Sequence, residues 1–249
     1  MAVIWQKKVA DDCYEVRSAG NSIRLYKNRV FHSQWNEQRP LSNGVWDLLF
    51  LPALFVPAEQ VRRILLLGVG GGAVINQFTT LLGPDKIVGV ELDQMHIEIA
   101  RRFFSVDNEA IELIEADAIS WLSQYRGDKF DLIIEDLFTE KDGDPVRVAA
   151  ADEKWFSVLL AHLHPKGMLV INFEGGDQMR ESAPAYLASM GDRPDVRYRF
   201  SQPSYGNSVC AYLGQECQVA DLRRRIDEVL TLFPACRAKG QKFKVRRIT

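Results

Sequence analysis

The sequence predicts an α/β fold of the Rossmann-like kind. A mostly parallel seven-stranded sheet is closed by a C-terminal antiparallel hairpin and preceded by a small N-terminal β region. Three observations predict it. From residue 62 onward, short apolar runs alternate with helical stretches, as strands covered on both faces require. The first of these runs ends in a glycine-rich turn, Gly68-Val69-Gly70-Gly71-Gly72. Past Val196 the alternation stops, and two strand-like runs are joined by Pro203-Ser204-Tyr205-Gly206-Asn207.

Residues 1–58 are assigned to the β region and 59–249 to the larger α/β unit. Asn21-Ser22-Ile23-Arg24-Leu25-Tyr26 and Arg29-Val30-Phe31-His32-Ser33 alternate on either side of Lys27-Asn28, which predicts a hairpin turning there. Trp46 to Phe55 is nearly all apolar and reads as a helix packed on the next unit, ending near Pro57. Ile64 to Leu67 is the first buried strand, and a helix follows the glycines over Ala73 to Leu82. Lys86 to Val90, Ile111 to Glu115 and Phe130 to Ile134 are the next strands. Helices over Gln94 to Phe104 and Ala118 to Tyr125 separate them. Asp152 to Leu163 is helical, His164-Pro165-Lys166-Gly167 is a turn, and Met168 to Asn172 is the fifth strand. Val196 to Phe200 and Ser208 to Leu213 form the hairpin. The tail from Lys239 to Arg247 carries five basic residues and reads as a solvated end.

Bulk properties exclude several classes. The chain has 249 residues, 47% of them hydrophobic and 26% charged, as in ordinary globular proteins. A net charge of −2 excludes a wholly basic nucleic-acid binder. No apolar run approaches the roughly 20 residues that span a bilayer, and the start has no signal pattern. Cys13, Cys210, Cys217 and Cys236 form no CxxC pair, and no His/Cys cluster has zinc spacing. A cytoplasmic protein with reduced thiols and no metal site is expected.

The chemistry concentrates at the carboxyl ends of the first four buried strands, where open α/β sheets bind ligands. Gly68, Gly70 and Gly72 let the chain turn sharply and approach a ligand closely. That loop fits the dinucleotide pattern as well as a sulfonium nucleoside, so alone it does not separate NAD from S-adenosylmethionine. Glu91-Leu92-Asp93 closes the second strand, 23 residues after Gly68. Glu91 there suits both ribose hydroxyls, with Leu92 beside it, whereas Asp93 fits a helix cap better. After the third strand, Asp117 suits an adenine amino group and the adjacent Ala118 amide a ring nitrogen; Asp117 is equally suited to cap the next helix. Asp136 follows the fourth strand in Ile133-Ile134-Glu135-Asp136-Leu137-Phe138 and suits orienting and deprotonating an amine. Glu140, Asp142 and Asp144 against Lys141 would make the mouth beyond it acidic.

The run from the first buried strand to the fourth resembles the spermidine synthase family, which shares the Rossmann-like methyltransferase fold. Phe130-Asp131-Leu132-Ile133-Ile134-Glu135-Asp136 carries the resemblance most specifically. It extends upstream through Pro52-Ala53-Leu54-Phe55 and downstream through Leu163-His164-Pro165-Lys166-Gly167-Met168. The resemblance implies S-adenosylmethionine, or its decarboxylated form, as cofactor, with Asp136 catalytic. It also implies Gln34 at the position of an N-terminal glutamine near the cofactor. It further implies a homodimer, for which the apolar N-terminal segment supplies a surface.

Three departures set this chain apart. Aminopropyltransferases of the family carry GGGDG in the first loop, and here the acid's position is Gly71. Their D-x-x-D-P pattern is broken, since Leu137-Phe138-Thr139 follows Asp136 and the next Asp-Pro is Asp144-Pro145. Their Tyr-His pair falls near Val45-Trp46. Each lost charge-assisted hydrogen bond forfeits about 1.5–3 kcal/mol of binding to a cationic amine. The leading expectation is therefore an S-adenosylmethionine-dependent methyltransferase acting on a small-molecule amine. Aminopropyl transfer from decarboxylated S-adenosylmethionine is the alternative, followed by a non-catalytic nucleoside-binding protein and then an NAD-dependent oxidoreductase. No nucleic-acid or membrane partner is expected.

Overall fold

The computed structural model describes residues 1–141, 144–238 and 240–248, with backbone alone at Glu140, Lys141 and Asp144. Four strands open the chain: β1 (Ala2–Val9), β2 (Asp12–Ala19), β3 (Ser22–Lys27) and β4 (Val30–Trp35). They form an antiparallel sheet in that order. Only the β3–β4 hairpin is legible in the sequence. β1 is exposed at every position but Trp5, so no buried face imposes a strong apolar alternation on it. The β3–β4 turn is Asn28-Arg29 rather than Lys27-Asn28. Both residues have positive φ, 50° and 72°, as a two-residue type I′ turn requires. The Asn28 side chain ties this turn to β2: its Nδ2 donates to Asp12 at 2.7 Å and its Oδ1 accepts from the Cys13 amide at 2.9 Å.

α1 (Val45–Phe50) passes into a 3-10 turn over Leu51–Phe55, because Pro52 has no N–H with which to continue the α pattern. The glycine turn then separates β5 (Arg63–Leu67) from α2 (Ala73–Leu81). β6 (Lys86–Glu91), α3 (Gln94–Phe104), β7 (Ile111–Glu115), α4 (Ala118–Gln124) and β8 (Phe130–Glu135) follow. A short hairpin, β9 (Phe138–Lys141) with β10 (Asp144–Arg147), replaces the expected loop. After it come α5 (Glu153–Ala161), β11 (Leu163–Phe173), α6 (Gly176–Glu181), α7 (Ala183–Ser189), β12 (Val196–Ser201) and β13 (Ser208–Leu213). α8 (Val219–Leu232), α9 (Pro234–Arg237) and β14 (Lys244–Ile248) end the chain.

The large sheet runs β14-β12-β13-β11-β8-β5-β6-β7. Pairs from β11 through β7 are parallel, and those from β11 through β14 are antiparallel. It therefore has eight strands rather than seven. The basic tail is not a solvated end: β14 pairs with β12 from Arg197↔Ile248 to Ser201↔Lys244. Its charges hide it in the sequence, and the same charges suit an edge strand that must not pair further. Strand alternation divides the core between the two faces. Ile64 and Leu66 of β5 join one apolar cluster, and Leu65 and Leu67 the other. The 3-10 turn at 51–55 is buried and covered by α8 of the same chain, whose Arg225 donates to the Phe55 carbonyl at 2.9 Å.

The two sheets are joined at Asp93, the N-cap of α3. Its Oδ1 accepts from the Met95 amide at 2.9 Å. Its Oδ2 accepts from the Tyr14 hydroxyl at 2.7 Å and Lys27 Nζ at 2.9 Å. Burial opposes ionisation of Asp93, but His96, Lys27 and Tyr14 outweigh it and hold the carboxyl below its ordinary value. A lowered carboxyl contributes stability that is complete above the unfolded value, about 3.9, and is lost as pH falls through the folded value. Asp93→Ala is expected to lose the cap and the inter-sheet bonds together, about 2–4 kcal/mol. Asp117→Ala, which removes only a cap bond to the Ser120 amide, should lose about 1 kcal/mol. Urea unfolding measures both, and equal losses would show that the inter-sheet bonds contribute nothing.

Candidate active site

Parallel pairing brings the carboxyl ends of β5, β6, β7 and β8 to one edge of the sheet. Gly68 leaves β5 with φ +87°, and its Cα faces the Asp136 carbonyl so closely that any Cβ would collide with it. The Asp136 amide in turn donates to the Leu67 carbonyl at 2.9 Å. The glycine turn and the Asp136 backbone are thus pressed together.

Glu91 ends β6 almost wholly buried. Its Oε2 accepts from the Val69 and Gly70 amides at 2.9 and 2.8 Å, and its Oε1 from the Asp93 amide at 3.0 Å. Burial opposes its charge, yet the His96 side chain and these amides prevail, so the carboxyl sits below its ordinary value. Glu91 therefore moulds the glycine turn. An ionised carboxylate has about four acceptor sites, so Oε1 retains capacity for a hydroxyl donor. Leu92, next in sequence, is 70% exposed and offers an apolar face beside that carboxylate. Asp117 caps α4 through Oδ1, and Ala118 is buried at the first turn. A carboxylate with spare acceptors, an exposed leucine and a second acid fit a nucleoside.

The same geometry argues against a dinucleotide. A pyrophosphate needs bare amides at the amino end of the first helix. Here β4 lies over that end, and the Ala73 amide is turned toward Ser33 Oγ at 3.4 Å. Gly72, at the cap of α2, donates to the Val69 carbonyl instead. Gln34, also on β4, accepts from Arg24 Nε at 2.7 Å. His32 of the same strand lies against His96 with the rings tilted, centroids 5.0 Å apart. Burial, with the charges of His96 and Lys27, pushes His32 down to about 4.

Packing explains the glycine at position 71. A Cβ there would lie 2.7 Å from Ser33 Cβ and 2.9 Å from the Phe104 ring. An acid at this position has no room while β4 keeps its place.

Asp136 stands just past β8. Its Oδ1 accepts from Asn172 Nδ2 at 2.8 Å, and Asn172 Oδ1 accepts from Asn207 Nδ2 at 3.1 Å. Burial pushes its carboxyl up to about 6, against the Asn172 hydrogen bond and with the charge of Glu91. Among the described residues no donor is bonded to Oδ2. Behind it, fully buried Glu135 pairs with Arg147 of β10. Burial pushes Glu135 up to about 7, with Arg147 opposing and Asp136 reinforcing.

Sequence reasoning places Asn207 in a loop that could reach the site, without fixing that it does, and missed Asn172, Arg147, Ser33 and His96. Ser33, Arg147 and Asn172 arrive on other strands and His96 on α3, none with a local motif. Of the expected acidic mouth, Asp142 lies outside the described residues, as do the side chains of Glu140 and Asp144 with that of Lys141.

Residues 48–190 match the spermine/spermidine synthase domain. The chain belongs to the spermine/spermidine synthase family. It is 33% identical over 177 residues to the polyamine aminopropyltransferase of Chromobacterium violaceum, covering 69% of this chain and 65% of that one. It is 26% identical over 182 residues to a probable polyamine aminopropyl transferase of Bifidobacterium longum, covering 71% of this chain and 39% of that one. The chain thus spans less than two thirds of these relatives. A probable spermidine synthase from Corynebacterium glutamicum shares the fold at TM-score 0.77 and 16% identity, covering 99% of this chain and 91% of that one.

These findings overturn methyl transfer as the leading expectation: the matched family is named for spermine and spermidine synthesis, and the relatives for aminopropyl transfer. S-adenosylmethionine itself as donor falls with it. Gly71 remains a test of the packing argument. Gly71→Ala is expected to cost about 1–3 kcal/mol through overpacking against Ser33 and Phe104, and Gly71→Asp more. A Gly71→Ala variant as stable as the parent in urea would show that β4 yields.

Proposed function

We propose that this chain is a polyamine aminopropyltransferase that moves the aminopropyl group of decarboxylated S-adenosylmethionine onto an amine. Asp136 carries the reading: a single carboxylate, aimed by Asn172, with Oδ2 open, beside a glycine turn that fits a nucleoside. The donor supplies an electrophilic carbon next to a sulfonium. Glu91 would accept a ribose hydroxyl, Leu92 would cover one face of the base, and Asp117 would take the adenine amino group. Asp136 would hold the acceptor nitrogen in line and remove its proton. A C–N bond forms, the C–S bond breaks, and its electron pair leaves with sulfur as a neutral thioether.

The lost acids bear on binding rather than on this displacement. With Gly71 bare, fewer carboxylates hold the cationic chain, so each absent contact raises the KM for a polyamine by about ten- to a hundredfold.

Two outcomes test the assignment. Incubation with decarboxylated S-adenosylmethionine and a panel of mono-, di- and triamines should yield an aminopropylated amine and 5′-methylthioadenosine. Asp136→Asn should lower kcat by about 10²–10⁴-fold while calorimetry shows unchanged 5′-methylthioadenosine binding. Activity untouched in this variant would remove Asp136 from the chemistry.

The pH dependence has a stated sign. The ionised carboxylate is the base, so activity should rise as pH passes about 6 and fall below it. The fold favours the protonated form. Its contribution to stability is present below the unfolded value, about 3.9, and is lost as pH rises through about 6. Asp136→Asn should therefore be more stable than the parent at pH 8, an active-site group held at a cost to the fold.

A further inference from the structure

Directly behind Asp136, the chain spends a buried arginine on the preceding residue. Glu135 is 0% exposed and Arg147 8%. The arginine is carried in by the β9–β10 hairpin, where Arg147 pairs with Phe138. The Val148 amide closes the hairpin base on the Leu137 carbonyl at 3.0 Å, one residue past Asp136. The guanidinium is held on two sides: Nη2 meets Glu135 Oε2, and the Phe173 ring lies 5.0 Å away. The Arg147 backbone amide donates to Glu174 Oε1 at 2.7 Å.

This pair is poorly built as a stabilising salt bridge. Arg147 Nε and Glu135 Oε1 are both buried with no hydrogen-bond partner. A buried ion pair offsets its desolvation only when its remaining donors and acceptors are satisfied. Its position suggests another use. Two consecutive carboxylates at one strand end repel each other, and Glu91 adds a third negative charge from β6. Glu174 touches Arg147 from the far side. Asn172 and Asn207 are neutral. Among these groups, Arg147 is the cation.

We propose that Arg147 is a positioning residue for Asp136: its buried cation, held behind the site by Glu135, favours Asp136 as the ionised carboxylate that faces the acceptor. The role rests on the transferase reading above. The hairpin that separates Asp136 from Asp144-Pro145 thereby supplies a compensating cation rather than merely lengthening a loop.

The test is a ¹³C NMR titration of side-chain carboxyls, with the Asp136 signal assigned by its absence in Asp136→Asn. This readout needs no turnover. Arg147→Gln should raise the Asp136 midpoint by about one unit, and Arg147→Lys should retain most of the parent value. The double variant Glu135→Gln/Arg147→Gln should be raised like the single one, since the cation is gone from both. In the transfer assay, Arg147→Gln should lower kcat about tenfold well below pH 6 with little change in KM.

An unshifted midpoint in folded Arg147→Gln would overturn the proposal. So would a double variant that returns to the parent midpoint, because the shift would then come from Glu135 and not from the lost cation. If Arg147→Gln does not fold, Glu135→Gln and the double variant decide: Glu135→Gln should lower the midpoint relative to the double, and equal midpoints would overturn the proposal. The predicted NMR shifts in a protein without transfer activity would sink the transferase reading and leave the charge compensation standing.

Discussion

The Glu91 carboxylate at the end of β6 takes three backbone amides, two from the glycine turn and one from Asp93. Much of the site follows from that arrangement. Holding Val69 and Gly70 fixes where the turn runs. The turn then sets the start of α2, and β4 closes over that start through Ser33. The Val69, Gly70 and Gly72 amides are taken, while Glu91 keeps an oxygen with spare capacity. One buried acid thus shapes a loop that suits a nucleoside better than a pyrophosphate. Charge-assisted bonds to backbone amides are strong and well aimed, and they offset the burial of the carboxylate.

The N-terminal sheet is held to the same place by a second acid two residues on. Asp93 caps α3 and binds Tyr14 and Lys27 from two strands of that sheet. Docking β4 against the glycine turn has a consequence at Gly71. The space that an acid would occupy is filled by Ser33 and Phe104. The glycine is therefore a packing requirement of the joined sheets as well as the loss of a charge. That change overstated the case for methyl transfer when it was read as chemistry alone.

Around Asp136 the structure leaves one carboxylate uncommitted rather than several. Glu91 is committed to the turn and Glu135 to Arg147. Asn172 and Asn207, neutral and in series, aim the one that remains. Burial raises its carboxyl to about 6, which places a base within reach of neutral pH. On the proposed reading, fewer charges in the pocket would weaken the grip on a polycation and leave Asp136 to take the proton.

The sequence by itself determined the parallel strands and the positions of Gly68, Glu91, Asp117 and Asp136 at their ends. These are local properties: apolar runs covered on both faces, glycines at a sharp turn, and acids at strand termini. It also carried the family resemblance in Phe130 to Asp136. It did not carry β1 or β14, because an exposed strand and a basic edge strand lack the apolar alternation that marks a buried face. Only the tertiary structure decided that Gly71 faces Ser33 and that Arg147 pairs with Glu135. It alone decided that Asn172 reaches Asp136 and that Asn207 reaches Asn172. Those contacts join residues 12 to 38 or more positions apart, and distances across a packed core follow from how sheets and helices stack, which no short motif records.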